Sequence, residues 1–290
     1  MTRTWNAPAA VIPGILGGLA GEARAGRMVW RREMLHFVRD PVRAIVSLLQ
    51  PLAFLFILGV GLSRLYSQAG AGSGQGEGYL AFLFPGVLLM AAQTPAVSVG
   101  ASIVWDRQSG FMREMLVAPV RRSTLLFGKC LGGATVATCT GTAVLACAGL
   151  VGVPYRFGLS VVLLAELGVA SLAMTALTAL MAVTIRRVQT FNTVLSVVLA
   201  PLLFLSGAFF PVSAMPAWMA PIALANPLTY AVDAMRRTIA ARIPDPPGGP
   251  LSEPVAWGVH HPPVALELGL VVAFSAVVLA LAARRFARPD

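Results

Sequence analysis

The mixed-charge run WDRQSGFMREMLVAPVRRSTLLFGK, residues 105–129, holds the acids Asp106 and Glu114 among Arg107, Arg113, Arg121, Arg122 and Lys129. A second polar run, NPLTYAVDAMRR at 226–237, carries Asn226, Asp233, Arg236 and Arg237. These residue types suit ion pairs, helix capping and contact with a polar partner. Several catalytic chemistries are missing. Gly128-Lys129 lacks the preceding glycine and following Ser/Thr of a phosphate-binding loop, so this chain is not expected to hydrolyse ATP by that route. His260-His261 has no third ligand at metal spacing, and Cys130, Cys139 and Cys147 form no CxxC, so no metal is expected. No Ser/His/Asp set is suggested by spacing.

Both polar runs lie between apolar stretches that must position them. Of the 290 residues, 57% are hydrophobic and 12% charged, and mean hydropathy is +0.77. A soluble domain carries about 25% charged residues. Too little polar surface remains to keep this chain in water, and the fold expected is all-α and integral to a membrane. Six stretches are long enough to span about 30 Å as helices, at about 43–62, 79–104, 131–153, 159–185, 191–210 and 264–283. Pro51, Pro85, Pro95 and Pro201 fall within them as tolerated kinks. Glu166 is an acid well inside a span, either functional or snorkelling to the interface.

The net charge of +10 lies beside the spans, which favours a lipid surface and excludes nucleic acid as the expected partner. Seventeen of the 22 basic residues fall on one side if the six spans alternate, placing both termini and the 105–129 loop in the cytoplasm. The segment GEARAGRMVWRREMLHFVRDPVRA before the first span interleaves arginines with Met28, Trp30, Leu35 and Phe37. It reads as an amphipathic helix on the inner leaflet with Trp30 near the headgroups, or else as a soluble basic tail. Residues 1–24 are expected as a flexible tail, 25–286 as the membrane domain and 287–290 as a cytoplasmic tail. The Gly/Ser-rich 67–78 run and the PDPPGGP run at 244–250 read as outer loops.

Within the inner loop, Phe111, Met112, Met115, Leu116 and Val117 supply an apolar face and Pro119 stops the element. Such an element either makes mechanical contact with a soluble partner or clings to the inner leaflet. In the outer run, Asn226 can cap a helix that Pro227 begins. Leu228, Ala231, Val232, Met235 and Ile239 form its apolar face. Asp233 can pair with either arginine at i+3 or i+4, and the polar face is expected toward outer water or an exit path. PVSAMPAWMAPIALA before it reads as a broken, partly inserted segment. Gly128 to Gly132 is a GxxxG spacing that could make a close helix contact.

These residues carry a resemblance. Six spans, the loop GFMREMLVAPVRR and the stretch FFPVSAMPAWMAPIALANPLTYAVDAMRR make residues 25–286 similar to the permeases of the ABC-2 family, membrane subunits of bacterial ATP-driven exporters of drugs and lipo-oligosaccharides. The resemblance implies a homodimer in the bacterial inner membrane, with two copies of a separate ATPase that uses ATP and Mg. It implies that residues 105–122 form the region that couples to that ATPase, with Asp106, Arg107, Gly110, Glu114, Pro119 and Arg121 as candidate coupling residues. Where many members have Glu-Arg, this chain has Asp106-Arg107, which keeps the charge. Asn226, Pro227, Tyr230, Asp233 and Arg236 are the candidates for the outer re-entrant gate. The function expected is export of an amphiphilic drug, lipid or glycolipid. The alternatives are a lipid-modifying membrane enzyme, which lacks the acid or histidine cluster it needs, and a passive channel, which has no use for the long inner loop.

Overall fold

The computed structural model describes residues 19–68, 75–109, 121–243, 253–257 and 260–287. Among these the chain is helical, and the sole β feature is the single bridge between Trp257 and His260. The elements are α1 (Leu19–Arg39), α2 (Pro41–Ala53), a π-helical stretch (Phe54–Gly59), α3 (Val60–Gln68), α4 (Gln75–Gln108), α5 (Arg122–Leu145), α6 (Phe157–Thr184), α7 (Val188–Phe204), α8 (Ala220–Ala225), α9 (Pro227–Ala240) and α10 (Val264–Ala287). The amphipathic element expected at 111–117, with Gly110, Glu114 and Pro119, lies outside the described residues, as does the outer loop expected at 244–250. Of the loop expected at 67–78, residues 69–74 lie outside the described residues, while 67–68 end α3 and 75–78 begin α4, so its ends are helical.

Four helical runs are long and apolar enough to cross a membrane: Ala44–Arg64, Gly78–Gln108, Phe157–Thr184 and Val264–Phe286. They coincide with the first, second, fourth and sixth expected spans. The first is continuous through the π-helical stretch, which begins three residues after Pro51. Proline has no N–H for the i−4 carbonyl, and the wider i→i+5 bonding follows within the next turn. The fifth expected span is shorter than 191–210. α7 has 17 residues, about 25 Å of helix. It ends because Gly207 adopts a left-handed φ of 74°, which turns the chain back.

The third expected span is displaced. Helix α5 begins at Arg122 and ends at Leu145, where 131–153 was expected. Its apolar character is diluted by glycines, threonines and Lys129, and a 3-10 turn at Ala148–Val151 with left-handed Gly152 closes the segment. The helix can start early because Lys129, expected in a cytoplasmic loop, is 5% exposed and has an internal partner.

Helix α4 forms the centre. From Phe82 to Ala92 it is buried on every side, as a helix apolar all round requires, and it packs against α5 and α6. Helix α10 runs along α6, and α9 fits against both. Helix α1 begins at Leu19, within the stretch expected as a tail, and lies along α5. The GxxxG pair makes this contact possible. A Cβ on Gly128 would stand 2.8 Å from the Gly26 carbonyl oxygen, and one on Gly132 would stand 2.8 Å from Cβ of Glu33. Trp30 is accordingly turned onto protein, donating from Nε1 to Thr135 Oγ1 at 3.1 Å, while Met28 and Val38 stay exposed. Of the three cysteines only Cys130 is buried; Cys139 is exposed and Cys147 half-buried.

Candidate functional site

Two polar clusters sit at opposite ends of the bundle. The first braces the base of the loop that follows α4. Asp106, near the end of α4, accepts a hydrogen bond from Lys129 of α5 and lies 3.9 Å from Arg32 of α1. Lys129 also donates to Ser102 Oγ at 3.1 Å. Arg107 donates to the carbonyl of Val183 at the end of α6 (3.1 Å), and Gln108 donates to that of Arg186 (3.3 Å). Asp106 and Arg107, expected to contact a partner, are therefore turned inward and tie α4 to α1, α5 and the α6–α7 junction.

On the far side of the loop, α5 begins without a cap of its own. A helix start leaves orphan N–H groups and favours a nearby negative charge. Glu22 of α1 fills both roles. Its carboxylate accepts the Arg121 backbone N–H at 3.1 Å and the Thr124 hydroxyl. The Thr124 hydrogen bond, followed by that of Arg121, holds the Glu22 carboxyl below its ordinary value. A depressed carboxylate adds stability above its unfolded value and loses it as pH falls through the folded one, so this cap is intact at neutral pH. Sequence reading missed Glu22 because its partners lie about a hundred residues away. It missed the burial of Lys129 too, although that residue is the only lysine in the chain.

The second cluster surrounds α9. Asn226 caps the helix as expected, accepting from the Leu228 N–H at 3.0 Å, and Pro227 is its first residue. The Asn226 amide donates to the Leu202 carbonyl at 2.6 Å, fastening the cap to α7. Leu228, Ala231, Val232, Met235 and Ile239 are buried, as the periodicity requires.

The polar face departs from expectation. Thr229, Asp233 and Arg236 are also buried, at 0%, 1% and 8% exposure, so they do not face outer water. Residues 253–257 and 260–263 fold back over them and supply partners. Asp233 accepts from the Val255 N–H at 3.2 Å, and Trp257 donates to the Tyr230 hydroxyl at 3.1 Å. The arginines pair elsewhere than with Asp233. Arg236 donates to the Gly207 carbonyl at 2.7 Å, with its guanidinium 3.9 Å from the Phe82 ring centroid. Arg237 donates to the Pro262 carbonyl at 2.6 Å and forms an ion pair with Glu267 at 3.2 Å. Glu166 is 3% exposed and accepts from Thr238 at 2.7 Å, which rules out snorkelling. Buried polar groups must be matched, and this cluster matches most of its own with backbone from neighbouring turns.

Among the described residues no group of three or more His, Cys, Asp or Glu side chains could hold a metal. The hydroxyl–carboxylate contacts described, Thr124 with Glu22 and Thr238 with Glu166, join one helix to another. The arrangement is a bundle with one loop braced to four helices and, at the other end, a cap fastened by buried ion and hydrogen bonds.

Comparison with known proteins agrees with this architecture. Residues 25–240 match the family model described as ABC-2 type transporter. Nodulation protein J of Rhizobium leguminosarum bv. viciae is 30% identical over 73% of this chain and 80% of its own length. The putative transport permease ycf38 of Cyanophora paradoxa is 27% identical over 71% of each. The probable doxorubicin resistance ABC transporter permease protein DrrC of Mycobacterium tuberculosis is 27% identical over 71% of this chain and 73% of its own length. The family match, which covers well over half the sequence, means that this chain belongs to the ABC-2 type transporter family.

Proposed function

We propose that the chain is the permease subunit of an ATP-driven exporter for an amphiphilic drug, lipid or glycolipid. It works in a bacterial inner membrane with both termini in the cytoplasm, as a homodimer of six-span protomers joined to two copies of a P-loop ATPase. In this reading α5 and the short α7 complete the six spans. The ATPases push on the 105–122 loop, and Asp106, Arg107 and Glu22 carry the push into α1, α5 and α6. The bundle then rocks between inward-open and outward-open states.

The observation that carries the reading is the surface of α7. It touches the bundle by one ladder, Phe191, Leu195, Leu199 and Leu203. Gln189, Asn192, Thr193 and Ser196 are exposed. The Thr193 and Ser196 hydroxyls donate to carbonyls of α7 itself, at 3.1 and 2.9 Å, but the Gln189 and Asn192 amides are poorly matched to hydrocarbon, and helix interfaces and polar cavities are their usual surroundings. A second copy of α7 across a polar path supplies the cover this face lacks. The DrrC and ycf38 relatives are named as permeases, which accords with the same use of the fold.

Ser196→Cys, in a chain whose Cys130, Cys139 and Cys147 are replaced by alanine, is expected to give a disulfide-linked dimer in native membranes under mild oxidation. Val161→Cys, on the exposed side of α6, is the control and should stay monomeric. Cross-linking at 161 with none at 196 would refute α7 as the pathway helix.

A further inference from the structure

A cavity of about 260 Å³ lies between α1 and α2 on one side and α4 and α5 on the other, at the end of the bundle that carries the arginine-rich segments. It shares Arg32 and Ser102 with the loop brace, but the rest of its wall serves neither that brace nor the α7 surface. Its wall is unusual in what it can offer a ligand. Ser47, Ser98 and Ser102 line it, and each spends its only hydroxyl proton on a carbonyl of its own helix: Ser47 on Ala44 (2.7 Å), Ser98 on Thr94 (3.0 Å) and Ser102 on Val99 (2.8 Å). These hydroxyls therefore present lone pairs and no donor to the cavity.

The charged groups on the wall are Arg32, Glu33, His36 and Asp40. Arg32 is drawn toward Asp106, and His36 stands on the exposed rim. Glu33 is half-buried with its stem laid on Gly132, and among the described residues it has no hydrogen-bond or ion-pair partner. A partly desolvated carboxylate beside acceptor-only hydroxyls lacks a cation that brings its own N–H donors. An anion would meet acceptors. A quaternary ammonium would find one aromatic ring, Phe37, where cation–π recognition uses a cage.

We propose that this cavity binds the primary ammonium group of an amphiphile at the inner leaflet, with Glu33 as its counter-charge and the Ser47 and Ser98 hydroxyls as its acceptors. The volume suits a headgroup rather than a whole lipid. On the reverse face of α2, Val42, Ile45, Val46 and Leu49 are 62–69% exposed, an apolar surface for the attached chain where it leaves the cavity. An aminolipid headgroup and a soluble amine-bearing amphiphile share this chemistry. The site stands independently of the exporter reading, because binding needs neither ATP nor a partner.

The test is fluorescence titration of the full chain in phosphatidylcholine nanodiscs with dansylcadaverine, which carries one primary ammonium. Saturable binding is expected, weakened at least tenfold by Glu33→Gln, severalfold by Ser98→Val and little by Glu33→Asp. The N-acetylated probe should not compete. Competition by phosphatidylethanolamine added to the discs would support a resident lipid as the source, and its absence would support a soluble amine. Equal binding by Glu33→Gln in protein of unchanged thermal stability, or equal competition by the acetylated probe, would overturn the proposal.

Discussion

Lys129→Met unfolds or severely destabilises the bundle, by about 3–5 kcal/mol, the range for breaking a buried ion pair by removing one partner. The Lys129 side chain is 6% exposed and that of Asp106 is 13%. With the ammonium gone, Asp106 keeps only Arg32 at 3.9 Å, an arginine whose own side chain is 40% exposed and whose charge is therefore screened by solvent. The penalty comes from the carboxylate left in a low-dielectric setting, more than from the attraction lost. The double variant Lys129→Met with Asp106→Asn should therefore recover most of the loss, since no uncompensated charge remains. The measurement is a thermal unfolding midpoint in detergent for the two single variants and the double. An unchanged single variant, or a double no better than the worse single, contradicts the brace.

Arg236→Met is the second large effect, at about 2–4 kcal/mol from a stranded buried carbonyl and a lost cation–π contact. Arg236 reaches from α9 to Gly207, where the chain turns back after α7, and its guanidinium lies on Phe82 of α4. One side chain thus pins the outer cap to the end of α7 and to the central helix. Methionine keeps much of the volume and loses both polar functions. Arg236→Lys should restore little, because an ammonium lacks the planar fork that lies on a ring while donating sideways. The expected result is a lower unfolding midpoint together with faster thiol labelling of a cysteine placed at buried Ser206. A midpoint within error of wild type, or full rescue by lysine, would mean that the cap is held by other contacts.

The residues legible from sequence are those whose reasons are local. Periodicity gave the apolar ladder of α9, and the Asn-Pro pair gave its start, because a cap and a missing N–H act within two residues. Span length located Gly78–Gln108, Phe157–Thr184 and Val264–Phe286, since bilayer thickness sets a floor that any helix must meet. What failed to show depended on partners far along the chain. Lys129 looked like a loop residue until Asp106 made its burial possible, and that pairing moved the whole of α5. The polar face of α9 looked solvent-facing because nothing in 226–237 reports that Val255 and Pro262 fold over it. Glu22 caps a helix from another element, so no capping motif marks it. In each case a polar group crossed an expected boundary because a distant group matched it.

In the proposed function, this permease draws its energy from a separate ATPase seated on the loop braced by Asp106, Arg107 and Glu22. The most direct measurement is purification of the tagged chain from its native membrane in mild detergent, with mass spectrometry of the eluate and an assay of ATP hydrolysis. A P-loop ATPase at one copy per permease, with hydrolysis in the eluate, is the result predicted. A permease that emerges alone and inactive, under conditions that keep other membrane complexes whole, would contradict it.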